Sequence, residues 1–192
     1  RQQETVDVWW ARLVDAEPVA IHSFAIAAFD RAGIPAAVID VEGHDITVIT
    51  TVPGVDSLPS RMPSQDGKGR PSTRTMMRGE RSALYSDLVF GHAVLTLRQV
   101  FALLPGATTV RLIVLLDSGV GALGLRRLEP ILCTVTPRTA FLRSVRPESA
   151  ATQILRDGCR DILQNVDAGL LAPIPLDQHE GLRHLLHVID RV

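Results

Sequence analysis

Apolar residues recur along this chain in two rhythms, one close to the helical period and one of two residues, and stretches of each succeed one another from the first turns onward. Thr5 to Asp15 carries the helical rhythm, and so does Pro18 to Gly33, where Pro18 suits a first turn that needs no N–H and Gly33 supplies the stop. Ile21, Phe24, Ile26, Ala27, Ala28 and Phe29 leave the second helix little polar surface, so it is expected to be largely buried. Ala36 to Val41 and Ile46 to Val52 are short strands around the turn Glu42-Gly43-His44-Asp45, which predicts a hairpin. A long helix is predicted from Ser82 to Leu104, stopped by Pro105 and Gly106, and a strand follows from Thr109 to Leu116. After a Gly-rich connection a fourth strand runs from Leu128 to Thr136. Pro147 opens a predicted helix through Val166, and Asp177 to Val192 reads as a last amphipathic helix.

Helix, strand, strand therefore occurs twice. The expected fold is α+β: two αββ units forming a four-stranded, mainly antiparallel sheet with helices on one face, plus terminal helices, in a single domain over residues 1–192. If Val110, Leu112 and Val114 face the helices, Arg111, Ile113 and Leu115 face away, joined by Thr47, Ile49, Thr51, Leu132 and Thr134. Ile49, Ile113, Leu115 and Leu132 then lack obvious cover, so this face is expected to dock on another protein or domain or on a second copy, as in a homo-oligomer.

Between the two units, Pro53 to Gly79 follows neither rhythm and is expected to be a long mobile loop. It holds Arg61, Lys68, Arg70, Arg74 and Arg78 against Asp56 and Asp66. Those cations could track phosphates, and with no aromatic residue between Arg61 and Arg78 the contact would be to nucleic-acid backbone rather than to stacked bases. The formal net charge of −1 gives no global case for such a partner. Cys133 and Cys159 form neither a disulfide framework nor metal-ligand spacing, which fits a reduced, cytoplasmic setting. No apolar run reaches membrane-spanning length, so no membrane partner is expected.

Three constellations invite chemistry, each with a plainer competitor. Gly119, Gly121 and Gly124 spell G-x-G-x-x-G after a strand, yet only Leu125 to Glu129 separate them from Pro130, which leaves no room for the helix that would hold a pyrophosphate. A flexible hairpin connection fits better, with a small-ligand sensor on residues 117–127 as the alternative. Asp40, Glu42, His44 and Asp45 offer oxygen and nitrogen ligands at a hairpin tip, the basis for a metal-assisted hydrolase or nuclease using Asp40 and Glu42. The lysine such a nuclease needs on a neighbouring strand is missing, since Lys68 is the chain's one lysine and lies in the long loop. Glu180, His184 and His187 share one face of the last predicted helix and could hold zinc, against the simpler reading of a solvated polar face. No cofactor is implied.

Four segments, Val52 to Pro59, Tyr85 to Phe101, Val145 to Ala150 and Leu171 to Leu176, carry a family likeness. Over residues 34–177 the chain resembles the region ahead of the nuclease domain in some bacterial Mrr-like restriction endonucleases, although the connection Ser118 to Arg127 lacks that family's Thr-Gly turn. The resemblance implies a helix, strand pair, helix order and supplies no catalytic residue. The resulting expectation is a non-catalytic interaction or sensing module of a bacterial cytoplasmic protein of the restriction or phage-defence kind.

Overall fold

The computed structural model describes residues 2–120, 124 and 126–175. Helices α1 (Gln2–Val14) and α2 (Pro18–Ala32) lead into the hairpin of β1 (Ala36–Glu42) and β2 (Asp45–Pro53). A 3-10 turn at Val55–Ser57 precedes a second, separate hairpin, β3 (Arg61–Gln65) and β4 (Pro71–Thr75). Helix α3 (Arg78–Leu103) returns the chain to β5 (Thr109–Val120) and β6 (Arg126–Pro137), followed by α4 (Arg138–Ser144), α5 (Ala151–Gly158), β7 (Asp161–Asp167) and β8 (Leu170–Ala172).

The fold is α+β with a mainly antiparallel mixed sheet, but that sheet has six strands rather than four, in the order β1-β2-β5-β6-β7-β8. The two expected hairpins are both present, and they join through β2 and β5, the one parallel pair among the described residues, with Ile46 opposite Val110 and Thr50 opposite Val114. Parallel pairing follows from connectivity, because α3 carries the chain back to the end of the sheet at which β2 began.

Of the two added strands, β7 comes from a stretch expected to be helical and β8 from the coil expected after it. The predicted helix from Pro147 to Val166 is present only as α5, and Asp161 onward pairs with β6, Ile162 lying opposite Thr134. Gly158, the last residue of α5, seats the short helix on α4. A Cβ there would lie 2.6 Å from the Ser144 hydroxyl oxygen and 3.1 Å from the Phe141 Cα, so α5 packs against α4 at a distance only glycine allows. Beyond it Ala168 and Gly169, both at positive φ, form the two-residue turn that closes β7 onto β8.

Buried residues from all five helices among the described residues share one core with the inner sheet face, including Ile21, Phe29, Leu97, Phe101, Phe141 and Leu155 packed with Val48, Leu112 and Val114. The predicted alternation along β5 is correct. Its extension to β6 is not, because Leu132 lies opposite Val114 and Thr134 opposite Leu112, which turns both toward the helices. Ile49, Ile113 and Leu115 do lie on the outer face, together with Cys133, and all four are buried within the chain. Part of their cover is Ile174, whose backbone N–H bonds the Pro130 carbonyl at 2.7 Å and seats the segment after β8 across that face.

Candidate functional site, a basic hairpin arm

Residues 61–75, expected as an unstructured loop, form a two-stranded antiparallel hairpin with Arg61 opposite Thr75 and Gln65 opposite Pro71. No residue of it is buried, and its strands pack chiefly on each other. With five residues per strand the arm reaches about 16 Å from its base. Its tip is ordered by one acid. The Asp66 carboxylate accepts the backbone N–H groups of Lys68 (2.8 Å) and Arg70 (2.9 Å), while Gly69 takes the positive φ that the tight turn requires.

The arm's two faces divide its charges. Met62, Ser64 and Arg74 form the partly buried side, and Arg61, Pro63, Gln65, Thr73 and Thr75 form the exposed side. Arg74 is committed to the base, donating through Nη1 to Glu80 at 2.7 Å and through Nη2 to the other oxygen of the same carboxylate. Glu80 also accepts the Met77 N–H at 2.8 Å, which fixes the first turn of α3. Those bonds, the guanidinium first, hold the Glu80 carboxyl at about 2. Below the arm, Arg81 donates to the Val55 carbonyl at 2.9 Å and reaches Asp56 at 3.3 Å, tying the 3-10 turn to α3.

Of the five cations singled out in the sequence, Arg74 is thus structural. Arg61 lies along the exposed side, donating to the Thr73 hydroxyl at 3.1 Å and the Thr73 carbonyl at 3.0 Å. Lys68 and Arg70 at the tip and Arg78 at the start of α3 are exposed. None of these four cations has a carboxylate partner among the described residues. Exposed cations beside Ser and Thr hydroxyls on a narrow ribbon can bond phosphate oxygens, and the arm has no aromatic platform for bases.

The Asp40 carboxylate accepts its neighbour's N–H at Val41 (2.9 Å), and the His44 ring donates from Nδ1 to the Gly106 carbonyl at 2.8 Å. No group of three or more His, Cys, Asp or Glu side chains is placed to hold a metal ion among the described residues. Glu180, His184 and His187 lie outside the described residues, as do residues 121–123 and 125 of the Gly-rich connection, while Gly119 and Gly124 are described and both take positive φ. One polar constellation escaped the sequence reading. The Thr50 hydroxyl donates to the Pro35 carbonyl (2.8 Å), so its oxygen accepts Nε2–H of His92 at 2.9 Å, and burial pushes that imidazole below its ordinary value. It pins α3 to β2. Cys133 is chemically quiet, its thiol pushed up to about 12 by burial.

Against known proteins, no protein-family model matches the chain, and no curated protein matches it either. No helix among the described residues is long and apolar enough to cross a membrane.

Proposed function

We propose that this chain is a non-catalytic interaction module that contacts the sugar-phosphate backbone of nucleic acid through the β3–β4 arm. The observation that carries the reading is the separation of charge on the arm and beside it: one arginine holds the arm's base, while Arg61, Lys68 and Arg70 on the arm and Arg78 at the start of α3 stay exposed without an acidic partner among the described residues. A purely structural hairpin needs only the first. The family likeness supports the same direction, a non-catalytic region of a bacterial cytoplasmic restriction or phage-defence protein.

The test replaces Arg61, Lys68 and Arg70 with Ser, keeps Arg74, and measures duplex-DNA affinity across salt concentrations alongside melting temperature. The wild type is expected to bind with a steep salt dependence, and the log–log slope is expected to flatten by about 0.9 for each phosphate that the variant no longer neutralises. The melting temperature is expected to stay unchanged, because no arm residue is buried. A wild type that fails to bind at low salt, or a triple variant that keeps both affinity and slope, would end this reading.

A further inference from the structure

Strand β1 is one edge of the six-stranded sheet, and its outward backbone groups are unequally guarded. The Thr51 N–H bonds the Pro35 carbonyl, and Ala37 faces Ile49 two residues on, so by alternation Ala36 and Val38 turn their N–H and C=O groups away from β2. Past the bulge at Ile39 the closing pair Glu42 and Asp45 sets Val41 outward as well. The Ala36 N–H is satisfied by the Ile34 carbonyl at 2.8 Å, and the Val41 N–H by the Asp40 carboxylate at 2.9 Å. The Val38 N–H has no such local acceptor among the described residues, and the Ala36 and Val38 carbonyls beside it point the same way.

Ala36 and Val38 border a groove of about 440 Å³ between β1 and α2, walled by Ile26, Phe29 and Ile34. Ile26 is 72% exposed, an unusual position for isoleucine on a helix facing a sheet edge. Asp30, without a salt bridge among the described residues, stands on the groove wall one helical turn beyond Ile26 and toward the start of β1. Unpaired strand groups select an extended backbone, and an apolar wall beside them selects its side chains.

We propose that the α2–β1 groove accepts an extended peptide segment of a partner protein as a short antiparallel strand beside Ala36 to Val38. The partner residue opposite Val38 exchanges both backbone hydrogen bonds with it and turns an apolar side chain inward, the direction Val38 itself takes, against Ile26 and Phe29. Two residues further along, opposite Ala36, a lysine or arginine meets Asp30. The bulge at Ile39 and the Asp40 carboxylate end the pairing there, so the recognised segment is only a few residues long. This site is independent of the arm.

The probe is the blocked pentapeptide Ac-Thr-Val-Thr-Lys-Thr-NH2, titrated into the isotope-labelled chain with the Val38 amide as reporter. Saturable shifts and slowed exchange at Val38 are expected, and N-methylation of the peptide valine should weaken binding by about tenfold, as should lysine to glutamate in the peptide. On the protein side, Val38→Pro removes the outward N–H where an edge strand tolerates proline, and Ile26→Asp alters the wall at an exposed position. Both are expected to melt like the wild type and to lose the peptide. Unchanged Val38 signals at millimolar peptide, or equal affinity for the N-methylated peptide, would overturn the proposal. So would a concentration-dependent dimer of the wild type that Val38→Pro abolishes, since the edge would then belong to a second copy.

Discussion

Arg138 shows how much one side chain can organise. Its guanidinium donates to the carbonyls of Ala107 (2.7 Å), Phe101 (2.8 Å), Leu104 (2.6 Å) and Pro105 (3.3 Å), and lies over the Phe101 ring at 4.8 Å. These carbonyls lie at the end of α3 and in the turn after it, where the helix leaves acceptors without intrahelical partners; Leu104 accepts the Ala107 N–H (3.1 Å) as well, and a cation there also suits the helix dipole. Arg138→Met keeps the length, removes every donor, and is expected to lower stability by about 2–3 kcal/mol in denaturant unfolding. Arg138→Lys should fall between, because an ammonium cannot span four acceptors held in a fixed fork. Nothing in the sequence marks this residue, since its acceptors lie 31 to 37 positions away. The facing of Leu132 was hidden for a related reason: period two assigns a face only once the register with β5 is known, and register is a property of the pair.

Among the elements, the arm was legible as composition and illegible as form. Its basic surplus is plain in the sequence, but Arg61 to Thr75 lacks the apolar alternation by which a half-buried strand is recognised, because neither of its faces enters the core. The opposite error produced the missed strand. Ile162 and Val166, four residues apart, imitate a helical stripe, although β-branched side chains at that spacing also sit on one face of β7. At the arm's base a pH response is expected. Glu80 has its folded value depressed to about 2 from 4.5, so its contribution to holding the base is complete above about pH 4.5 and is lost as pH falls toward 2. A carboxyl-carbon titration should find the Glu80 midpoint near 2 in the wild type. In Arg74→Ala it should move up toward the ordinary carboxylate range, and an unmoved midpoint would show that Arg74 does not set it.

For the molecule as a whole, the outer sheet face is a second, smaller core, with Ile113 and Leu115 at 0% exposure. Ile113→Asp is therefore expected to cost about 4 kcal/mol or more and to abolish cooperative melting, whereas Leu142→Asp, at a position 60% exposed, should leave the melting temperature within a degree or two. Equal tolerance of both would mean that Ile113 is not enclosed. The sheet has one more consequence, which concerns time rather than stability. Its parallel seam between β2 and β5 forms only after the chain from Gly54 to Thr108, arm and α3 included, has looped back, so the two hairpins can assemble locally and then wait for their junction. Loop closure depends weakly on length, and deleting residues 61–75 should relieve it by only about 0.3 kcal/mol. Folding should thus proceed at nearly the same pace with or without the arm, which leaves evolution able to lengthen, recharge or remove it while the seam still closes.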